Sequence, residues 1–324
     1  MRILVSRRRI FALLLAIVSV NFLFLSAAWS LDYPTKPITL VVSATPGGPS
    51  DVHARILADV VSKDLKVPIV IVNKPGPGGA LAASFVANEK PDGYTLLVTQ
   101  SGTMTSSFSL FPNLSYKRTD YLPLFMSISV PCNAAVKTDA RWKSMNDFFD
   151  EAAKNPGKLR IACCSSNIGL TLRGLMDEKK LDITLMMYKG APDCLQAVAG
   201  GHVDVNCDAL VPMVSNIEAG KLRLLAAISS KRNKNYPDVP TLRELGYEKF
   251  SKDMWNGFYA PAGLPDAIRD RLVTVFEKAL AQPDVQAKVE QSGAFVNYMG
   301  PKDFAALNDE EYEFYTAAAA KQPK

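Results

Sequence analysis

Ile38-Thr39-Leu40-Val41-Val42-Ser43-Ala44-Thr45-Pro46-Gly47-Gly48-Pro49-Ser50-Asp51 decides how this chain folds. Its first five residues are apolar or β-branched and predict a short buried strand, which Pro46-Gly47-Gly48 stops. From residue 51 to 65 the period changes. At about 100° per residue, Ile56, Leu57, Val60 and Val61 share one helical face, with Arg55, Asp59 and Lys63 towards the other. Residues 68–72 form a second apolar strand, closed by Asn73-Lys74-Pro75-Gly76-Pro77-Gly78-Gly79. Residues 80–87 read as a short helix, Pro91-Asp92-Gly93 as a turn and 94–99 as a third strand. This order predicts an α/β fold with a mostly parallel sheet and helices on both faces.

A second cycle starts near residue 130, with helices at 145–154 and 192–199 and strands at 159–163, 183–188, 203–207 and 222–228. Helices at 265–281 and 301–319 close the chain. Two such units predict two lobes with a cleft between them, and ligands of such sheets lie beyond the carboxyl ends of the strands.

The chain has 324 residues, 48% of them hydrophobic, enough for two real cores, and a formal net charge of +5. Arg2, Arg7, Arg8 and Arg9 supply most of that excess. Without them 33 basic residues face 32 acidic ones, which argues against a nucleic-acid partner. These arginines precede the apolar stretch 10–25 and the small residues Ser26, Ala27, Ala28 and Ser30. That is the pattern of a secretory signal peptide (1–30), cleaved near Ala28 or Ser30, and it predicts a soluble exported protein. Arg8-Arg9 leaves general secretion and twin-arginine export both open.

Four loops put small or polar residues at strand ends. The first, Ala44, Thr45, Pro46, Gly47, Gly48, Ser50 and Asp51, joins a strand to a helix. Its glycines permit close backbone approach, and Ser50 or Asp51 can cap the helix. Free N–H groups and the positive dipole end there suit an anion. The loop is neither a Walker loop nor GxGxxG. Gln100, Ser101, Gly102 and Thr103 follow the third strand. Ser165, Ser166 and Asn167 follow 159–163, and Lys189, Gly190 and Ala191 follow 183–188.

Catalytic readings have less support. His53 falls among Ile56, Leu57 and Val60, as a core residue would, and His202 lies in a turn after Gly200-Gly201. The cysteines number five (Cys132, Cys163, Cys164, Cys194 and Cys207). They read first as small buried hydrophobes, with a bridge from Cys163 or Cys164 to Cys207 as the alternative. Their spacing matches no zinc motif. A nucleophilic Cys163 or Cys164 would need a histidine beside it. Trp255 and Tyr259 read as core or cleft wall.

Tyr33-Pro34-Thr35-Lys36-Pro37-Ile38, Pro46-Gly47-Gly48 with Asp51, Val72-Asn73-Lys74-Pro75-Gly76 and Pro91-Asp92-Gly93-Tyr94-Thr95-Leu96 resemble the tripartite tricarboxylate transporter substrate-binding family, or Bug proteins. Asn155-Pro156-Gly157, Tyr188-Lys189-Gly190-Ala191, Gly200-Gly201-His202-Val203-Asp204, Pro237-Asp238-Val239-Pro240 and Gly257-Phe258-Tyr259-Ala260-Pro261 continue the likeness in order. The resemblance implies a two-lobe periplasmic binding protein of type II, a monomer without metal or organic cofactor. Lobe 1 would be 31–130 and 252–324, lobe 2 would be 131–251, and the connections near 127–130 and 252–259 would hinge.

Such a receptor captures a small organic carboxylate for membrane permease subunits. The resemblance places ligand contacts on the four loops and on Asp208. The family usually has an aromatic residue where this chain has Ala44, and a Ser or Ala where it has Pro49. Loss of the ring opens the pocket to a bulky or aromatic acid. The loop 162–172 is one residue shorter than the family pattern and lacks its histidine. Two alternatives stand beside uptake: a sensory receptor presenting its ligand to a membrane kinase, and a periplasmic cysteine-dependent hydrolase.

Overall fold

The computed structural model describes residues 32–111, 113–188 and 190–321, so the signal segment 1–30 and Lys189 lie outside the described residues. In chain order the elements begin β1 (Ile38–Val42), α1 (Pro49–Leu65), β2 (Ile69–Asn73), α2 (Ala80–Ala87), β3 (Thr95–Gln100), α3 (Ser101–Met104) and α4 (Ser107–Leu110). Next come β4 (Tyr121–Val130), β5 (Cys132–Lys137), α5 (Met145–Lys154), β6 (Arg160–Cys163), α6 (Ser166–Lys179), β7 (Thr184–Met187), α7 (Ala191–Ala199) and β8 (Val205–Ala209). The last are α8 (Val214–Glu218), β9 (Leu222–Ala227), β10 (Met254–Pro261), α9 (Asp266–Leu280), α10 (Pro283–Gln291), β11 (Phe295–Met299) and α11 (Pro301–Ala320). The described residues from Pro34 onward form one compact unit.

The strands build two mixed sheets, ordered β11-β4-β10-β3-β1-β2 and β7-β6-β8-β5-β9. The parallel pairings expected from the alternating pattern occur at β1–β2, β1–β3, β6–β7 and β6–β8. Antiparallel pairs come from the strands that carry the chain between sheets. Pro131 alone separates β4 of the first sheet from β5 of the second, and β10 is the return leg. These two legs lie side by side, with Met254 opposite Val130, Trp255 opposite Ser129 and Asn256 opposite Ile128.

Packing explains the local choices. Helix α1 buries His53, Ala54, Leu57, Val60, Val61 and Leu65 and turns Arg55, Asp59 and Lys63 outward. It ends at Lys66, whose φ of 58° lies in the left-handed region. Helix α5 starts on a capping box, with Asp147 N donating to Ser144 Oγ at 3.1 Å and Ser144 N donating to Asp147 Oδ2 at 3.0 Å. On the first sheet Phe125 stacks on Phe258 at 4.6 Å, and Phe276 of α9 closes over both. On the second, Phe148, Leu172, Leu175, Ile161, Cys163 and Cys207 share one core, while Ala162, Cys194, Ala197 and Val198 share another. All five cysteines are free thiols, so the bridge to Cys207 is not formed; Cys163 and Cys207 are core residues instead.

Strands β4, β5, β10 and β11 carry no clear signal in the sequence. Pro123 argues against a central strand, yet it lies in β4 opposite Tyr259. In β10 every residue after Met254 is buried, so the alternation that marks a half-buried strand is lost. A Cβ on Gly257 would sit 2.2 Å from Phe304 Cζ, so a residue without one lets α11 approach β10 closely.

Helix α11 also buries a carboxyl. Glu311 is 2% exposed and accepts a hydrogen bond from Trp255 Nε1 at 3.0 Å. Burial dominates and raises its pKa to about 8, with Asp253 and Glu310 adding to the rise, although Lys252 and Trp255 pull the other way. Glu311 thus stays protonated in the native protein where the unfolded chain has ionised. Stability is fully present below the ordinary value of 4.5 and falls as pH climbs towards 8. Glu311→Gln keeps an acceptor for Trp255 and removes this loss. Thermal melts should show the variant gaining a few degrees on the wild type between pH 5 and pH 8, and little below pH 4.5.

Candidate functional site

The loop between β1 and α1 is built around one carboxylate. Gly48 occupies the N-cap with no side-chain cap, and the helix begins at Pro49. The expected cap takes another form. Asp51, in the first turn, reaches back to accept from Gly47 N at 2.8 Å, while buried Ser50 donates to Asn256 Oδ1 at 3.1 Å. Gly47 has φ +79°, a left-handed conformation that costs other residues strain. Asp51 also accepts from Arg55 Nε at 2.9 Å and from Asn73 Nδ2 at 2.9 Å; Asn73 Nδ2 also donates to the Ala44 carbonyl at 3.0 Å. Burial pushes the Asp51 pKa up, but Arg55, the Gly47 N–H and Asn73 together outweigh it and hold it below the ordinary 3.8.

The β3 exit packs against this loop. Gln100 Nε2 donates to Ser50 Oγ at 3.4 Å, and the Thr99 hydroxyl bonds Ser43 at 2.7 Å and Thr103 at 2.6 Å. Ser101 and Thr103 are buried in α3. A Cβ on Gly79 (φ +75°) would lie 2.3 Å from Thr103 Oγ1, so the glycine loop after β2 seats directly on α3.

The second sheet meets the first here. Ser166 and Asn167 are not loop residues but the first turn of α6. Asn167 is buried; its Nδ2 donates to Ser101 Oγ at 3.0 Å and its Oδ1 accepts from Ser106. Ser165 Oγ contacts Met254 Sδ at 3.2 Å. Behind them, Asp208 at the end of β8 accepts from Cys164 N at 2.7 Å and from Ala209 N at 2.8 Å. Cys194 of α7 comes within 4.8 Å of the Cys164 thiol and the Asp208 carboxylate, bringing the turn that starts α7 to the same end of the sheet. Gly190 is the N-cap of α7 and Ala191 its first residue.

The structure therefore links Ser50, Gln100, Ser101 and Asn167 in one chain of contacts, and Cys164, Cys194 and Asp208 in a second behind it. Gly102 joins the first, since a Cβ there would lie 3.2 Å from Asn167 Oδ1. Thr45, Pro46 and Gly47 stay exposed, and Ala44 and Gly48 half-buried. Sequence reasoning missed Asn73, Ser106, Met254 and Asn256. Asn73 was visible in Asn73-Lys74-Pro75; Asn256 was hidden in an apolar strand, yet its buried Nδ2 has no hydrogen-bond partner beside Ser50. His53 packs edge-on to Phe258 with neither ring nitrogen hydrogen-bonded, and burial lowers its pKa to about 3, as a core residue. His202 is exposed.

Two mixed sheets joined by paired crossing strands, with helix starts and hydroxyls gathered where they meet, define a two-lobe solute-binding protein of the periplasmic type. Residues 53–317 match the family described as tripartite tricarboxylate transporter family receptor, and the chain belongs to that family. It is 30% identical to the protein BugT of Bordetella pertussis over 266 residues, 81% of this chain and 82% of BugT. Among solved structures it is similar to MatC of Rhodopseudomonas palustris with bound malate: 32% identity, TM-score 0.71, 89% of this chain and 100% of that one. A second R. palustris protein, with adipate, gives 28% identity, TM-score 0.75 and coverage of 89% and 99%.

Removing the Asp51 carboxylate tests how the first loop is held. Asp51→Ala strips an acceptor from Gly47 N, Asn73 and Arg55 and should cost about 2 kcal/mol, read as a lower urea midpoint at pH 7. The contribution is present above 3.8 and lost as pH falls through the depressed native value, so the gap from wild type should shrink in acid.

Proposed function

We propose that this protein is an exported periplasmic receptor that captures a small organic acid between two lobes, 31–130 with 252–324 and 131–251, for a tripartite tricarboxylate-type permease. The observation that carries the reading is Asn167. Its carboxamide joins Ser101 and Ser106, which follow β3 of the first sheet, to the start of α6 on the second sheet. Backbone N–H groups at the starts of α1, α6 and α7 suit a carboxylate. Malate in MatC and adipate in its neighbour are both dicarboxylates.

Capture, not bond-making, fits the thiols. Burial pushes the Cys163 thiol well above its ordinary range, and a hydrogen bond to Cys194, then burial, does the same for Cys164, which favours a receptor over a thiolate hydrolase. Lobe motion would bend β4 and β10 together near 127–130 and 252–259, because the two crossings are hydrogen-bonded neighbours. Ala44, half-buried at the loop, leaves room for a bulky or aromatic acid.

A thermal-shift panel of aliphatic and aromatic mono- and dicarboxylates tests the reading. A ligand at 100 times its Kd should stabilise the protein by about 2.7 kcal/mol, and Asn167→Ala should weaken that ligand at least tenfold. Ala44→Tyr should shift preference towards the smallest diacids. If no acid in the panel moves the melting temperature, the receptor reading fails.

A further inference from the structure

Cys164 and Cys194, two thiols that the receptor reading leaves without a task, lie beside Asp208 behind the loops of the second sheet. The Sγ atoms of Cys164 and Cys194 and a carboxylate oxygen of Asp208 are all within 4.8 Å of one another. A tetrahedral zinc, with Zn–S about 2.3 Å and Zn–O about 2.0 Å, needs sulfurs about 3.8 Å apart and sulfur to oxygen about 3.5 Å. The cluster accommodates that with rotamer-scale adjustment. Cys194 and Asp208 are buried and Cys164 is half-buried, which gives a way in. Asp208 is already oriented: its two oxygens accept from Cys164 N at 2.7 Å and Ala209 N at 2.8 Å, and each oxygen retains a lone pair.

A second observation points to an occupant. Asn133 of β5 stands opposite Asp208 in the β5–β8 register, is fully buried, and has neither side-chain nitrogen nor oxygen hydrogen-bonded. Asn206, two residues before Asp208, has a buried Oδ1 in the same condition. Side chains alternate along a strand, so Asn133, Asn206 and Asp208 share one face of the sheet. Ala162 pairs with Asn206 and shares that face, and it packs with Cys194, Ala197 and Val198 of α7. Orphaned amides on the sheet face that carries Asp208 are costly unless something partners them.

We propose that Cys164, Cys194 and Asp208 form a zinc-binding site whose fourth position is taken by water. Two sulfurs and one carboxylate suit a borderline-soft tetrahedral ion and not magnesium or calcium, which take oxygen ligands. Binding breaks two S–H bonds and forms two Zn–S bonds; both protons pass to solvent, with no change of oxidation state. Because both thiols must give up a proton to bind the ion, binding weakens as pH falls. Bound zinc ties the residue before Ser165-Ser166-Asn167 to the first turn of α7 and the end of β8, stiffening the second-sheet half of the loop cluster.

The test is titration of the purified, reduced, chelator-treated protein with cobalt(II) and then zinc. One equivalent of cobalt should give thiolate-to-cobalt charge-transfer absorption and tetrahedral visible bands. Zinc should bleach both, and zinc binding should release two protons. Cys164→Ser and Cys194→Ser should each sharply reduce the charge-transfer band, while Asp208→Asn should keep it with affinity at least tenfold weaker. Zinc should also protect Cys164 of the unaltered protein from iodoacetamide, a reading that needs no variant. The proposal is overturned by absence of a charge-transfer band at saturating cobalt, or by bands that survive both cysteine substitutions. An isolated protein whose intact mass is lower by two hydrogens, with Cys164 and Cys194 bonded to each other, also overturns it.

Discussion

The antiparallel pairing of β4 with β10 is the constraint on which this structure depends. Both legs of the chain between the sheets run through it, so the sheets are joined along one hydrogen-bonded line and not at two separate points. The same strand supplies the side chains that hold the loops. Asn256 takes the Ser50 hydroxyl, Met254 receives Ser165, and the Asn256 carbonyl accepts from Ser127 Oγ at 3.0 Å. A change in β10 therefore reaches both halves of the loop cluster.

Electrostatics at the cluster rests on neutralisation. A carboxylate at the start of α1 would repel a bound acid if its charge were loose. Asp51 instead turns its lone pairs to the Gly47 N–H, Asn73 and Arg55, so it braces the loop with its charge neutralised. The side chains bonded across the cluster, Asn167 with Ser101 and Ser106 and Asn256 with Ser50, are all uncharged. This economy of formal charge agrees with the nearly neutral body of the sequence.

Much of the architecture could be read from residue patterns. Ala80–Ala87 and Met145–Lys154 fall where apolar period and turn residues put them, because each has one wet face and a clear stop, and Ile38–Val42, buried except at Thr39, is marked by its apolar run and the Pro-Gly-Gly after it. Trp255 to Pro261 could not be read as a strand, since a segment buried on both sides has no alternation to show. The start of α6 was hidden for another reason. Ser165, Ser166 and Asn167 look like a polar loop, and only the Ser101–Asn167 bond shows why Asn167 lies buried. Cys164, Cys194 and Asp208 are far apart in sequence, and only the parallel β6–β8 pairing and the packing of α7 bring them together.

The Asn167 bridge has a kinetic consequence. Its two hydrogen bonds cross from the start of α6 to Ser101 and Ser106, so the two sheets cannot part at this point until both are broken. How fast they separate there is set by how often Asn167 lets go of both hydroxyls together.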